Sequence, residues 1–178
     1  MSNVIFMNGV YGVGKTTVAN MVQKITCGKI ECIDPDIEFN KYIERCPKLI
    51  LAGFPINRNK WFIYKFRGEI EELPYDKTVI IPMNISNKVC KEELLDYVSE
   101  KCNIVHVILT ADDTVTEDRI LNDKERMKQF SLDNICICDK FLKDKYMDAI
   151  RIDTSSKSPE YIACLLYTSP SPRDGLLS

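Results

Sequence analysis

No apolar run in the 178-residue chain approaches the roughly 18 to 20 residues of a membrane-spanning helix, so the sequence is not read as a helical membrane protein. Nor is there a cluster of one charge. With 24 basic and 26 acidic residues and a formal net charge of −2, nothing points to a surface built for nucleic acid or an anionic membrane, and small-molecule partners are expected instead. Histidine is nearly missing. The single one, His106, sits inside the apolar run "IVHVILTA" and is expected to be a satisfied core residue rather than a catalytic base. CxxC spacing is also missing. The eight cysteines are scattered, and the close pair Cys136 and Cys138 has no second pair or histidine cluster to complete a zinc site. Reduced thiols in a cytoplasmic protein are the expectation, since "MSNVIFMNG" enters a strand directly without the pattern of a signal peptide.

What is present is the composition of one globular domain, 45% hydrophobic and 28% charged, without internal repeats. Apolar runs of strand length alternate with segments of helical periodicity. That alternation predicts an α/β protein with three layers around a five-stranded, mostly parallel sheet. Strands are expected at 4–7, 30–33, in "TVIIPMNI", in "IVHVILTA" and at 149–152. Val18, Val22 and Ile25 recur at helical spacing after the first strand, and Gly28 is expected to end that helix. Asp36 is expected to cap a second helix. Ile63, Phe66 and Ile70 mark the core face of an aromatic helix, and a further helix is expected around 92–98.

The stretch Gly9-Val10-Tyr11-Gly12-Val13-Gly14-Lys15-Thr16-Thr17 matches the full phosphate-loop pattern, GxxxxGK[ST], and lies between an apolar strand and an amphipathic helix as that pattern requires. Its glycines allow successive backbone N–H groups to turn inward toward an anion, and the helix adds its positive end. Lys15 is expected on the β and γ phosphates of ATP and Thr16 on Mg²⁺.

The segments "FMNGVYGVGKTTVA", "CIDPDIEF" and "KTVIIPMNI" together resemble the tunicamycin-resistance protein family, a branch of small P-loop kinases similar to chloramphenicol phosphotransferase, over most of residues 3 to 155. The resemblance implies a kinase-like fold, ATP as donor and a uridine-nucleotide-like or antibiotic ligand. From Cys164 onward, "CLLYTSPSPRDGLLS" resembles a translated sequencing adapter. The native domain is therefore expected to span 1–163, with its C-terminal helix cut short and 164–178 as a non-native tail.

In a doubly wound sheet the C-terminal strand ends line the ligand crevice, which places Asp34 and Asp36 there. Asp34 is the first candidate for orienting the acceptor hydroxyl and for helping Thr16 hold the metal, and Asp36 the second. The plain structural account, a turn residue followed by a helix cap, stays open. An acid often found at the end of the third strand of P-loop NTPases is replaced here by Pro82-Met83-Asn84. Similarity to related kinases implies a basic lid in "TEDRILNDKERMK", with Arg119 as its candidate and Lys124, Arg126 and Lys128 beside it, although a solvated mixed-charge helix explains the same pattern. The same relatives imply that Asp153 lies near the adenine. For the acceptor, Trp61, Tyr64 and Phe66 are candidates to stack on a ring, with Arg58 or Arg67 meeting a phosphate or other acid, although helical spacing also allows each aromatic to be a core residue. Three functions remain open: a small-molecule kinase, an ATP-dependent protein that sequesters an antibiotic without modifying it, and a regulatory NTPase.

Overall fold

Strands that are buried on both faces must be almost wholly apolar, and β1 (Asn3–Asn8) and β3 (Thr78–Pro82) meet this demand along nearly their whole length. The computed structural model describes residues 1–45, 55–124 and 127–168. β1 is central, flanked by β3 and by β4 (Asn103–Thr110), while β2 (Ile30–Cys32) and β5 (Ile150–Asp153) form the edges in the order β2-β3-β1-β4-β5. All four pairings are parallel, so every strand presents its C-terminal end at the same edge of the sheet.

Seven helices complete the described chain: α1 (Lys15–Ile25), α2 (Pro35–Arg45), α3 (Lys60–Glu71), α4 (88–99), α5 (Asp113–Asn122), α6 (Lys128–Lys145) and α7 (Pro159–Thr168). In α4 the middle stretch Lys91–Asp96 is wound as a π-helix. The strand register aligns Ile5, Ile80 and Val105 on one face of the sheet and Phe6, Ile81 and His106 on the other. α1 and α7 pack together over the first face, where a cavity of about 200 Å³ lies between Val22, Leu166, Ile5 and Ile80. That cavity is lined mostly by core side chains. On the other face α4 packs against β4 and α3 against α4, and Tyr146 stands edge-on to the His106 ring with centroids 4.5 Å apart.

The expected elements are present, with small shifts at their ends. α1 closes with Cys27 in the left-handed conformation (φ 49°), ahead of Gly28; Gly28 N–H bonds the Gln23 carbonyl and Cys27 N–H that of Lys24. The cap of α2 is Asp34 rather than Asp36: Asp34 Oδ1 accepts from Asp36 N–H at 2.9 Å, and the Asp34 carbonyl accepts the first helical bond from Glu38. Pro35 at the first helical position explains the shift, since its fixed φ suits that place and leaves the preceding residue as cap. Ser158 caps α7 through a bond from Tyr161 N–H, and the helix continues through Cys164 to Thr168 with Leu166 buried.

α3 buries Phe62, Ile63, Phe66 and Ile70, the expected stripe with one residue added. Phe62 is fully buried, stacks on Phe66 and meets Phe39 of α2 edge-on, both at 5.2 Å between centroids. Phe62→Ala is expected to lower unfolding stability by about 3–5 kcal/mol, because the cavity left between two other rings cannot fully collapse. Urea denaturation followed by circular dichroism would check this, a loss under about 1 kcal/mol arguing against that packing.

Candidate functional site

The turn from β1 into α1 is built from conformations that only glycine adopts easily. Gly9, Gly12 and Gly14 have φ of 146°, 77° and 96°. Two of the three are also hemmed in. A Cβ on Gly9 would sit 2.6 Å from the Leu109 carbonyl oxygen, and one on Gly12 would sit 2.7 Å from that of Thr116 in α5. Val10 and Val13 are buried and anchor the loop to the core, while Tyr11 meets Phe130 edge-on at 5.8 Å. Gly14 is the helix cap and offers no side chain to the first-turn N–H groups at Lys15, Thr16 and Thr17, and no acidic residue stands in that turn. The arrangement suits a phosphate chain: glycines at positive φ, a helix N-terminus, and a cation at its edge. Lys15 Nζ donates to the carbonyls of Gly9 at 3.0 Å and Val10 at 2.8 Å, so the ammonium is held against the loop. Thr16 and Thr17 are exposed on the same end of α1.

Arg119 reaches this loop from α5. Its guanidinium donates to the Val13 carbonyl (3.4 Å), to Thr154 Oγ1 (3.1 Å) and to the Thr154 carbonyl (2.9 Å), and Thr154 Oγ1 itself donates to Val13 O at 3.1 Å. Arg119 therefore ties the loop to the end of β5. Asp153 is exposed beside it and accepts from the N–H and hydroxyl of Ser155, which holds its carboxyl below the usual range. Lys124 is exposed, Lys128 bonds the Leu121 carbonyl, and Arg126 lies outside the described residues.

On the other side of the switch point, Asp34 follows β2. It is buried (8% exposed) and oriented by the Asp36 N–H, whereas Asp36 itself is exposed in the first turn of α2. The negative charge of Asp34, after burial, helps to push the Cys32 thiol up to about 11. At the end of β3, Met83 and Asn84 are buried where an acid would be expected.

The acceptor candidates divide. Arg58, in the short 3₁₀ turn Ile56–Arg58, and Trp61, at the start of α3, lie near the strand ends; Trp61 meets Tyr42 edge-on at 5.3 Å and is partly open to solvent. Arg67 lies two turns further along and is already engaged. It pairs with Glu93 at 2.8 Å and lies over the Tyr97 ring at 4.2 Å, with Tyr64 on its other side at 5.0 Å. Arg67 is thus drawn to α4, Tyr64 stays exposed beside it, Phe66 is buried in the core, and Arg58 and Trp61 lie on the stretch that leads into α3.

Sequence reasoning missed the asparagines. Asn8, Asn57, Asn59 and Asn84 are all buried at or near strand ends. Asn8 Oδ1 accepts from Gly9 N–H (2.8 Å) and Ile85 N–H (3.0 Å), and its Nδ2 meets Ile85 O and His106 Nε2, both at 3.2 Å. Asn57 Nδ2 donates to Asn84 O and Asn87 Nδ2 to Asn57 O, both at 2.8 Å. For Asn8 the signal was an Asn following a strand in "FMNG", where a buried amide can satisfy the backbone groups that the ladder leaves open; the Asn84 side chain instead donates to Cys138 Sγ at 3.5 Å and leaves its Oδ1 without a partner among the described residues.

No protein-family model matches the chain, and no curated protein matches it. Solved structures do. The chain is similar to the tunicamycin resistance protein of Deinococcus radiodurans at 19% identity and a TM-score of 0.63, covering 92% of each chain. It is similar to shikimate kinase of Aquifex aeolicus at 21% identity and a TM-score of 0.61, covering 90% of this chain and 92% of that one. A gluconokinase of Sinorhizobium meliloti gives 13% identity and a TM-score of 0.57, with 91% and 87% covered. At these identities the likeness shows the fold, which is that of the P-loop kinases, in agreement with the fold class expected from the sequence.

The environment of His106 has a measurable consequence. Burial first, then the positive charges of Arg151 and Lys91, lower its pKa to about 4. The unfolded chain therefore takes up this proton before the folded one does. The stabilisation from the neutral ring is complete above pH 6.5 and is lost as pH falls from there to about 4, with a slope of at most about 1.4 kcal/mol per pH unit. Chemical denaturation at several pH values should show this increment in the wild type and not in His106→Gln; equal slopes would refute it.

Proposed function

We propose that this chain is a cytoplasmic phosphotransferase that binds ATP through residues 9–17 and transfers its γ-phosphoryl group to a hydroxyl of a small nucleoside-like or antibiotic-like acceptor. The observation that carries this reading is the phosphate loop itself, three glycines at positive φ leading into a helix N-terminus with no side-chain cap, while Asp34, held by the Asp36 N–H, follows a strand of the same parallel sheet. The likeness to a tunicamycin resistance protein and to shikimate kinase and gluconokinase supports a small-molecule acceptor, and resistance of the tunicamycin type is the physiological role it favours.

In the proposed step the acceptor oxygen forms a bond to the γ-phosphorus, the bond from that phosphorus to the β,γ-bridging oxygen breaks, ADP leaves, and the hydroxyl proton passes to Asp34. Lys15 balances charge on the phosphates, and Arg119 keeps the loop in place through Val13. Thr16 and Asp34 are the residues that would hold Mg²⁺, which would neutralise charge shared between the β and γ phosphates. Asp36 is a secondary candidate near the acceptor, and Asp153 would border the adenine. Arg58 and Trp61 would contact the acceptor. Tyr64 would contact it from the exposed face of α3, and Arg67 would take part only after release from Glu93 and Tyr97 of α4. The buried Asn84, in place of an acid, favours a second reading in which the protein binds ATP and an antibiotic without transfer.

Three measurements test these readings, and the first separates them. Incubation with γ-labelled ATP and a panel of nucleosides and nucleoside antibiotics should place label on one of them; unmodified ligand retained in stoichiometric amount would favour sequestration. Lys15→Ala should abolish ATP binding in calorimetry, and Asp34→Asn should slow transfer about 10²- to 10⁴-fold while ATP affinity changes little. Turnover retained by Asp34→Asn would remove the base from the mechanism.

A further inference from the structure

The side chain of Asn8 has a single consistent orientation. One of its terminal atoms receives two backbone N–H groups, Gly9 at 2.8 Å and Ile85 at 3.0 Å, and must be the oxygen. The other is then the NH₂, which donates to Ile85 O and to His106 Nε2. His106 must offer a lone pair at Nε2 and carry its proton on Nδ1. Tyr146 reinforces the arrangement by donating to the same Ile85 carbonyl at 2.9 Å while standing edge-on to the imidazole. Asn8 is fully buried, and its amide is saturated by these four partners.

The position of this amide matters because Gly9 N–H is the first amide of the phosphate loop. Asn8 turns that N–H back toward the sheet and sets the direction in which the chain leaves β1. The same amide grips Ile85 by both backbone groups. Ile85 follows Asn84, whose carbonyl holds Asn57, the neighbour of Arg58. The donor loop and the acceptor-side turn are thus joined through the Asn8–Ile85 hydrogen bonds, the Asn84–Ile85 peptide and the Asn57–Asn84 hydrogen bond.

We propose that Asn8, held in orientation by His106, is a positioning residue that sets the phosphate loop in its anion-binding form and couples it to the segment carrying Arg58. This rests on the reading of residues 9–17 as a polyphosphate site. The loop glycines provide the permitted conformations; Asn8 selects among them.

The test uses inorganic tripolyphosphate as probe, so that neither the nucleotide nor the acceptor need be assumed. Asn8→Asp keeps the shape and the two bonds from Gly9 and Ile85, but it sets a carboxylate oxygen against the Ile85 carbonyl and the His106 lone pair. Tripolyphosphate affinity by calorimetry should fall about 10- to 100-fold in Asn8→Asp and Asn8→Ala. His106→Leu should weaken it several-fold, and His106→Gln, whose amide oxygen can still accept from Asn8, should lose less.

Nitrogen NMR of the ring supplies a readout separate from binding. Wild-type His106 should show the Nδ1–H tautomer at neutral pH, and Asn8→Asp should convert it to the doubly protonated form. A protonated Nε2 in the wild type would overturn the proposal. So would unchanged tripolyphosphate affinity in a folded Asn8→Asp or Asn8→Ala variant, and that result would leave the transferase reading intact. Wild-type protein that binds tripolyphosphate through an Asn8-dependent loop yet labels no acceptor would defeat the transferase reading alone.

Discussion

The turn between β1 and α1 runs through three glycines at positive φ, and the buried polar groups around it have to find their partners inside the protein. Much of the architecture answers that demand. Left-handed glycines turn the amides, but they are usable only where neighbouring backbone comes close enough to define the cradle. β4 supplies the Leu109 carbonyl and α5 supplies Thr116, each where a Cβ would collide. The loop is shaped by what surrounds it as much as by its own residues. Val10 and Val13 fasten it from below, and Arg119 holds the Val13 carbonyl from the side.

The two halves of the crevice are organised by different physics. Around residues 9–17, the N-terminal dipole of α1 and two cations, Lys15 and Arg119, make an environment suited to negative charge. After β2 lies the Asp34 carboxylate, buried and fixed by the N-terminus of α2. A helix cap and a catalytic base are compatible roles for one carboxyl group, because the cap uses one oxygen. Between them runs a neutral seam of asparagine amides and a neutral histidine. Replacing an acid by Asn84 at the end of β3 keeps that seam uncharged, and the missing negative charge removes one ligand that a metal could otherwise recruit.

The aromatic helix α3 shows how far periodicity carries. Spacing alone marked Ile63, Phe66 and Ile70 as core, and they are buried with Phe62. Spacing could not say what the exposed face would meet. Arg67 was read as a candidate for binding an acidic ligand, yet Glu93 and Tyr97 of α4 occupy it. A long cation finds whichever carboxylate and ring the tertiary packing brings near, and nothing local in "KFRGEIEEL" announces a partner 26 residues away. The cap of α2 was missed by two residues for a local reason, the preference of Pro35 for the first helical turn.

By itself the sequence determined the alternating α/β pattern, the phosphate loop, the core stripes and the placement of Asp34 after the second strand. These depend on short-range terms: hydrophobic period, glycine freedom and the stiffness of proline. The tertiary structure alone decided that Arg119 clamps the loop, that Arg67 is committed elsewhere, and that Asn8 joins Gly9, Ile85 and His106 into one network. Those outcomes depend on which strands become neighbours. Strand order places residues 77 and 98 positions apart within 3.2 Å of one amide, and no local pattern encodes that.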